Sequence, residues 1–150
     1  MSVEGQRFYP GETATAEQIL LLANEYRDAA DALLQTRHCG TPLSRAPYRL
    51  LAIQAIELYL NAHLLRAGHP AGSLRGLQHD LAARSRLAAG AKLILRRRTV
   101  GHLESLSRTR EYLITRYDPS QSAASQINRL EATLAEVGEK ANLLITRSAK

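Results

Sequence analysis

The sequence predicts an all-α fold: a bundle of four long helices plus one short helix. Three observations predict it. Apolar residues recur at helical spacing in every long segment, strand-like alternation is absent, and Gly/Pro pairs punctuate the segments. At 150 residues the chain suits one domain with a core large enough to need no staples. Apolar residues at 45% and charged residues at 23% exclude disorder. Residues 1–14 read as an N-terminal arm and 15–150 as a single helical domain.

The arm contains Pro10 and Gly11. Thr15 then reads as an N-cap, with Gln18 completing a capping box. Ile19, Leu22, Ala23, Tyr26, Ala30, Leu33 and Leu34 form the apolar stripe of the first helix, which Gly40 and Pro42 stop. Its other face carries Glu17, Glu25, Asp28 and Asp31, a solvated acidic face.

Pro47 suits a first helical turn. The segment from there to Ala67 is apolar nearly all round, the mark of a central helix buried on several faces. Glu57 interrupts it, and a carboxylate in such a helix needs a partner. Gly68 and Pro70 end it. A loop from Gly72 to Gly76 leads to a short helix, about His79 to Ala89. Gly90 separates that from a long segment, Ala91 to Thr115, with Leu93, Val100, Leu103, Leu106 and Leu113 as its core face. Within it, Gly101 either weakens the helix or lets another backbone approach. Pro119 ends the segment. The last helix, about Ser122 to Thr146, carries Ile127, Leu130, Leu134, Val137, Ala141 and Leu144, spaced like the seam of a helix lying along a neighbour.

Charge is unevenly placed. The net charge is +6, with a pI near 9.9. Residues 84–116 hold nine basic side chains against Glu104 and Glu111, a net +7, so the rest of the chain carries −1. Concentrated arginine suits phosphate, because its planar fork donates paired charged hydrogen bonds. The segment reads either as a footprint for a nucleotide or RNA, or as a solvated face that keeps the bundle soluble. No aromatic is interleaved between Arg84 and Arg110, which argues against a single-strand stacking surface there.

Other chemistries find little support. Cys39 is alone, which rules out an intrachain disulfide and a cysteine-based metal site and fits a reducing cytoplasm. His38, His63, His69, His79 and His102 show no metal-ligand spacing, so neither a metal nor another cofactor is expected. There is no Gly-rich phosphate loop, no membrane-length apolar run and no export signal in the sequence, so a cytoplasmic protein away from membranes is expected.

Three segments carry a family resemblance. The central helix runs from Gln54-Ala-Ile-Glu57 to Gly68, the short helix opens Gln78-His79-Asp80-Leu81, and the basic segment ends Tyr112-Leu-Ile-Thr-Arg116-Tyr117-Asp118-Pro119. In that order and spacing, over about Thr15 to Pro119, they resemble the HEPN (higher eukaryotes and prokaryotes nucleotide-binding) domain. The resemblance implies a helical bundle, commonly a homodimer, that binds nucleotide or RNA. It also implies a toxin–antitoxin or accessory role beside a small nucleotidyltransferase. The resemblance and the basic segment together mark Arg116, Tyr117, Arg110, Arg108, Glu57, His79, Asp80 and Asp118 as binding candidates; Asp118, close to it in sequence, is expected to hold Arg116.

Family members that cleave RNA use an arginine followed after four to six residues by histidine, for phosphate grip and proton transfer. Here no histidine follows Arg116, and the formal match is Arg96 or Arg97 with His102. Asp118 and Pro119 also stand in swapped order relative to the family's Arg-Tyr-Pro-Asp. The sequence therefore favours a weakly catalytic or non-catalytic binding module. A metal-independent ribonuclease and a structural dimerisation subunit are the alternatives.

Overall fold

The computed structural model describes residues 9–36 and 41–148, with side chains to residue 147. These form seven helices and no strand: α1 (Ala16–Thr36), α2 (Ala46–Arg66), α3 (Ala71–Gly76), α4 (Leu81–Gly90), α5 (Arg97–Arg108), α6 (Glu111–Tyr117) and α7 (Ile127–Ser148). The all-α expectation holds. Residues 1–8 of the expected arm, and Cys39 and Gly40, lie outside the described residues.

Helix α1 starts where its capping box requires. Gln18 N donates to Thr15 Oγ1 at 3.1 Å, and Thr15 N donates to Gln18 Oε1 at 2.9 Å. Its buried stripe is Leu20, Ala23 and Ala30, with Ile19, Tyr26 and Leu34 packed at the edges. Leu22, expected in the core, is 45% exposed. Leu22 sits at the edge of the stripe and lines a cavity, and Leu20 is buried instead.

Helix α2 is the axis of the bundle. It packs against α1, α7, α4, α6 and α3, and twelve of its residues are buried. It ends in a Schellman motif: Gly68 at φ +102°, Gly68 N donating to Leu65 O and His69 N to Leu64 O.

The segment 91–115 is not one helix but an extended stretch and two helices. Two distant contacts explain the breaks. Helix α4 runs through Gly90 and closes on Lys92 at φ +71°, with Leu93 N donating to Ala88 O at 2.9 Å. Residues 93–96 then run extended, burying Leu93. Glu136 of α7 restarts the helix, accepting from Arg96 N at 2.7 Å and from Thr99 Oγ1, where the first helical turn lacks partners for its N–H groups. Lys140 Nζ holds the same carboxylate at 2.6 Å. The second break is at Arg110, φ +53°, which lets α6 turn Glu111 into the core. There Glu111 meets Arg49 at 3.7 Å and accepts from Ser125 N at 2.6 Å and Ser125 Oγ at 2.9 Å. Residues 71–76, expected as loop, wind into α3.

Helix α7 buries Leu130, Leu134, Val137 and Ala141 along the expected seam and Ile145 in place of Leu144, which like Ile127 is only partly buried. Gly138 lies against a side chain of α2. An added Cβ would lie 2.9 Å from Tyr59 Cε2 and from Arg27 Nη1. Tyr59 is fully buried and its hydroxyl is held by Asn24 Oδ1 at 2.5 Å, so the ring cannot yield cheaply. Nothing approaches Gly101 in the same way.

The two glycines should therefore respond oppositely to the same substitution. Gly101→Ala should stabilise the protein by about 0.5–1 kcal/mol, the helix-propensity gain. Gly138→Ala should destabilise it by about 1–3 kcal/mol, because overpacking outweighs that gain. Urea denaturation of the two variants reads both signs.

Candidate functional site

The expected binding residues divide into three groups. The first is a cleft of about 240 Å³ lined by Gln78, His79, Asp80, Ser107, Arg110 and Tyr112. It lies between the link that enters α4 and the kink that joins α5 to α6. His79 Nδ1 sits 3.0 Å from Glu57 Oε1, and its ring rests on Tyr112 at 4.7 Å between centroids. Glu57 thus finds in His79 the partner its place in α2 requires.

Asp80 is an N-cap, as its residue type predicts. Its Oδ1 accepts from Ala83 N at 3.0 Å and from Ser107 Oγ at 3.0 Å, and Ala82 N donates to Ser107 Oγ at 2.8 Å. The hydrogen bond from Ala83 N, with that from Ser107, holds the Asp80 carboxyl below its usual range, against a smaller opposing effect of burial. The carboxylate is thereby occupied with helix capping in the cleft that Arg110 also lines.

Behind the cleft, Arg84 is almost fully buried. Its Nε donates to Asn61 Oδ1 at 2.7 Å, its Nη1 to Asp80 O at 3.2 Å and its Nη2 to Leu74 O at 3.1 Å. Burial lowers its pKa, and the charges of Glu57 and Asp80 offset that in part. Arg84 belongs to the basic run in sequence, yet in space it is a structural rivet. The other eight basic residues of 84–116 are exposed.

The second group is Arg116, Tyr117 and Asp118, at the far end of α6. Arg116 lies six residues beyond Arg110, about 9 Å along a helix axis. Asp118 does not hold Arg116. Its Oδ1 accepts from Ser120 N at 3.0 Å and Ser120 Oγ at 2.9 Å, closing the turn after the helix. No ion pair of Arg116 is found among the described residues, and Tyr117 is 75% exposed. Arg108 is exposed at the end of α5, close to the first group in sequence.

The third group is Arg96, Arg97 and His102. The structure does not bring them together. Arg96 and Arg97 are exposed at the start of α5, whereas His102 is buried. His102 Nδ1 lies 2.6 Å from Thr133 Oγ1, and Nε2 lies 3.0 Å from Ser125 Oγ. Burial, helped by the charges of Arg129 and Arg49, pushes its pKa down to about 4. Such an imidazole is neutral at physiological pH and shielded from substrate, a core histidine in a hydroxyl network. His63 is similar: fully buried, Nε2 at 2.9 Å from Ala91 O, and lowered by burial.

Among the described residues no group of three His, Cys, Asp or Glu is placed to hold a metal ion, and no helix is long and apolar enough to cross a membrane. The sequence reading gave no site role to Tyr112, Ser107, Asn61 or Arg84, although Tyr112 and Asn61 lie within two of the three landmark segments.

The buried histidines give a pH dependence of definite sign. A histidine whose pKa is lower in the folded than in the unfolded chain contributes stability that is complete above about 6.5 and lost as pH falls toward 4. For His102 the loss should approach about 3 kcal/mol. His102→Gln should flatten the fall in urea-unfolding free energy between pH 6.5 and 4, whatever it costs at pH 7.5. In comparison with known proteins, the chain matches no family model, no curated protein and no solved structure.

Proposed function

We propose that the chain is a HEPN-like nucleotide- or RNA-binding module, weakly catalytic or non-catalytic, that holds phosphate in the cleft between His79 and Arg110. One observation carries this reading. Gln78 and Arg110, at φ +52° and +53°, both stand in the left-handed region and both line this small cleft. The same backbone turn that sends Glu111 into the core leaves the Arg110 side chain lining the cleft, at a cost of about 1–2 kcal/mol for a non-glycine residue. The guanidinium there shares the cleft with an imidazole, a tyrosine and a capping serine. That set suits a phosphate with an attached sugar or base. The exposed Arg86, Lys92, Arg96, Arg97, Arg98 and Arg108 add a field that attracts polyanions.

The burial of His102 takes support from an Arg96–His102 or Arg97–His102 ribonuclease and leaves binding as the better reading. The homodimer and the small nucleotidyltransferase partner of a toxin–antitoxin pair rest on the family resemblance. The exposed face of α6, with Arg116, Tyr117 and Leu113 (exposed here although its spacing predicts the core), is the surface we assign to the nucleotidyltransferase.

Arg110→Gly provides the test, because it removes the guanidinium and the backbone strain together. Fold stability should stay level or rise by up to about 1 kcal/mol. RNA affinity should fall about tenfold at low salt, and the slope of log affinity on log salt should lessen by about one. Filter binding over a salt series reads the second effect, and thermal unfolding the first. Unchanged affinity would remove the cleft from the site.

A further inference from the structure

A second, larger cavity adjoins the cleft. It measures about 620 Å³ and shares Gln78 and His79 with it. Its walls come from α1, α2 and α3, including Ile19, Leu22, Leu58, Leu65 and Leu74. The segment from Tyr9 to Glu12 lines its outer side. Arg75 fixes that segment, with Nη1 3.7 Å from Glu12 Oε1 and the guanidinium 4.5 Å from the centre of the Tyr9 ring. Volume and lining match the small-molecule sites of proteins, which span about 300–1,000 Å³ and are apolar with a few convergent polar groups.

Those polar groups are specific. Glu57 and Asn61 stand one turn apart on α2 and both line the cavity. Each is fixed through one atom, Glu57 Oε1 by His79 and Asn61 Oδ1 by Arg84. That leaves Glu57 Oε2 as an acceptor and Asn61 Nδ2 as a donor for a molecule held between apolar walls. A flat ligand satisfies them if it carries N–H donors next to a carbonyl oxygen. Guanine does so: N1–H and the N2 amine both donate to Glu57 Oε2, and O6 accepts from Asn61 Nδ2. Adenine puts a bare acceptor, N1, against the same carboxylate and leaves it unpaired, which costs free energy in a desolvated site.

We propose that this cavity is a guanine site, so that a guanosine nucleotide spans the two compartments across His79, base on the Glu57 side and phosphate on the Arg110 side. The inference rests on the nucleotide-binding reading of the cleft and goes further by naming the base. The guanosine is either free or part of an RNA, and the experiment separates the two.

The test is calorimetric titration of the full chain with GMP, IMP and AMP, and with short RNAs that contain or lack guanosine. GMP should bind at least about tenfold more tightly than AMP, and IMP, which lacks the N2 amine, should lose much of that advantage. Glu57→Gln should abolish the preference for GMP over AMP. The comparison of natural ligands stands even if that variant fails to fold. Binding of GMP assigns the free nucleotide, and binding only of the guanosine-containing RNA assigns the polymer; either supports the site. Equal affinity for GMP and AMP overturns it while leaving the nucleotide-binding reading intact, as does salt-sensitive binding of RNA regardless of guanosine. No binding of any of these overturns both.

Discussion

Helix α2 is buried over most of its surface, and the pairing of five of its polar side chains with the elements around it organises the whole bundle. Arg49 reaches the carbonyl of Ser125 and the carboxylate of Glu111, binding α2 to α6 and the link before α7. Glu57 takes His79, Tyr59 takes Asn24 of α1, Asn61 takes Arg84 of α4, and His63 takes the carbonyl that closes α4. Five polar residues thus reach most of the surrounding elements. Apolar burial supplies most of the stabilisation, but it is tolerant of rotation and sliding. The directed contacts select one arrangement, since each wrong register would strand a buried polar group.

The candidate site is a by-product of the same rule. The Glu57–His79 and Asn61–Arg84 pairs tie down the chain between α3 and α4, and Arg84 clamps the carbonyls of Leu74 and Asp80. Ser107 then joins α5 to the cap of α4 through Asp80. Side chains that would carry recognition are therefore held by rigid helix ends rather than by a free loop. The arrangement suits binding without large closure, because little ordering is left to be done when a ligand arrives.

Local rules were legible in the sequence; distant ones were not. The Thr15 cap, the Gly68 stop, the first-turn Pro47 and the α7 seam follow from residues within a few positions of one another, and the structure repeats them. The breaks at residues 92 and 110 do not announce themselves. Their left-handed positions hold lysine and arginine instead of glycine, and their causes, Glu136 and the Glu111–Arg49–Ser125 knot, are remote in sequence. Arg84 shows the same limit within the site, since an arginine in a basic run gives no local sign that it will be buried. His102 shows its converse: a formal motif spacing on one helix says nothing about which face meets solvent.

The acidic outer face of α1 and the basic α4–α6 region lie on different helices, and α1 packs against α2 and α7 rather than against α4 or α5. Acidic and basic charge are thereby carried by different helices, an uneven distribution that the net +6 does not convey. In the field of a polyanion such a body feels a torque as well as an attraction. It would arrive already turned, with the cationic side leading and α1 trailing, so that fewer encounters are wasted on the wrong face.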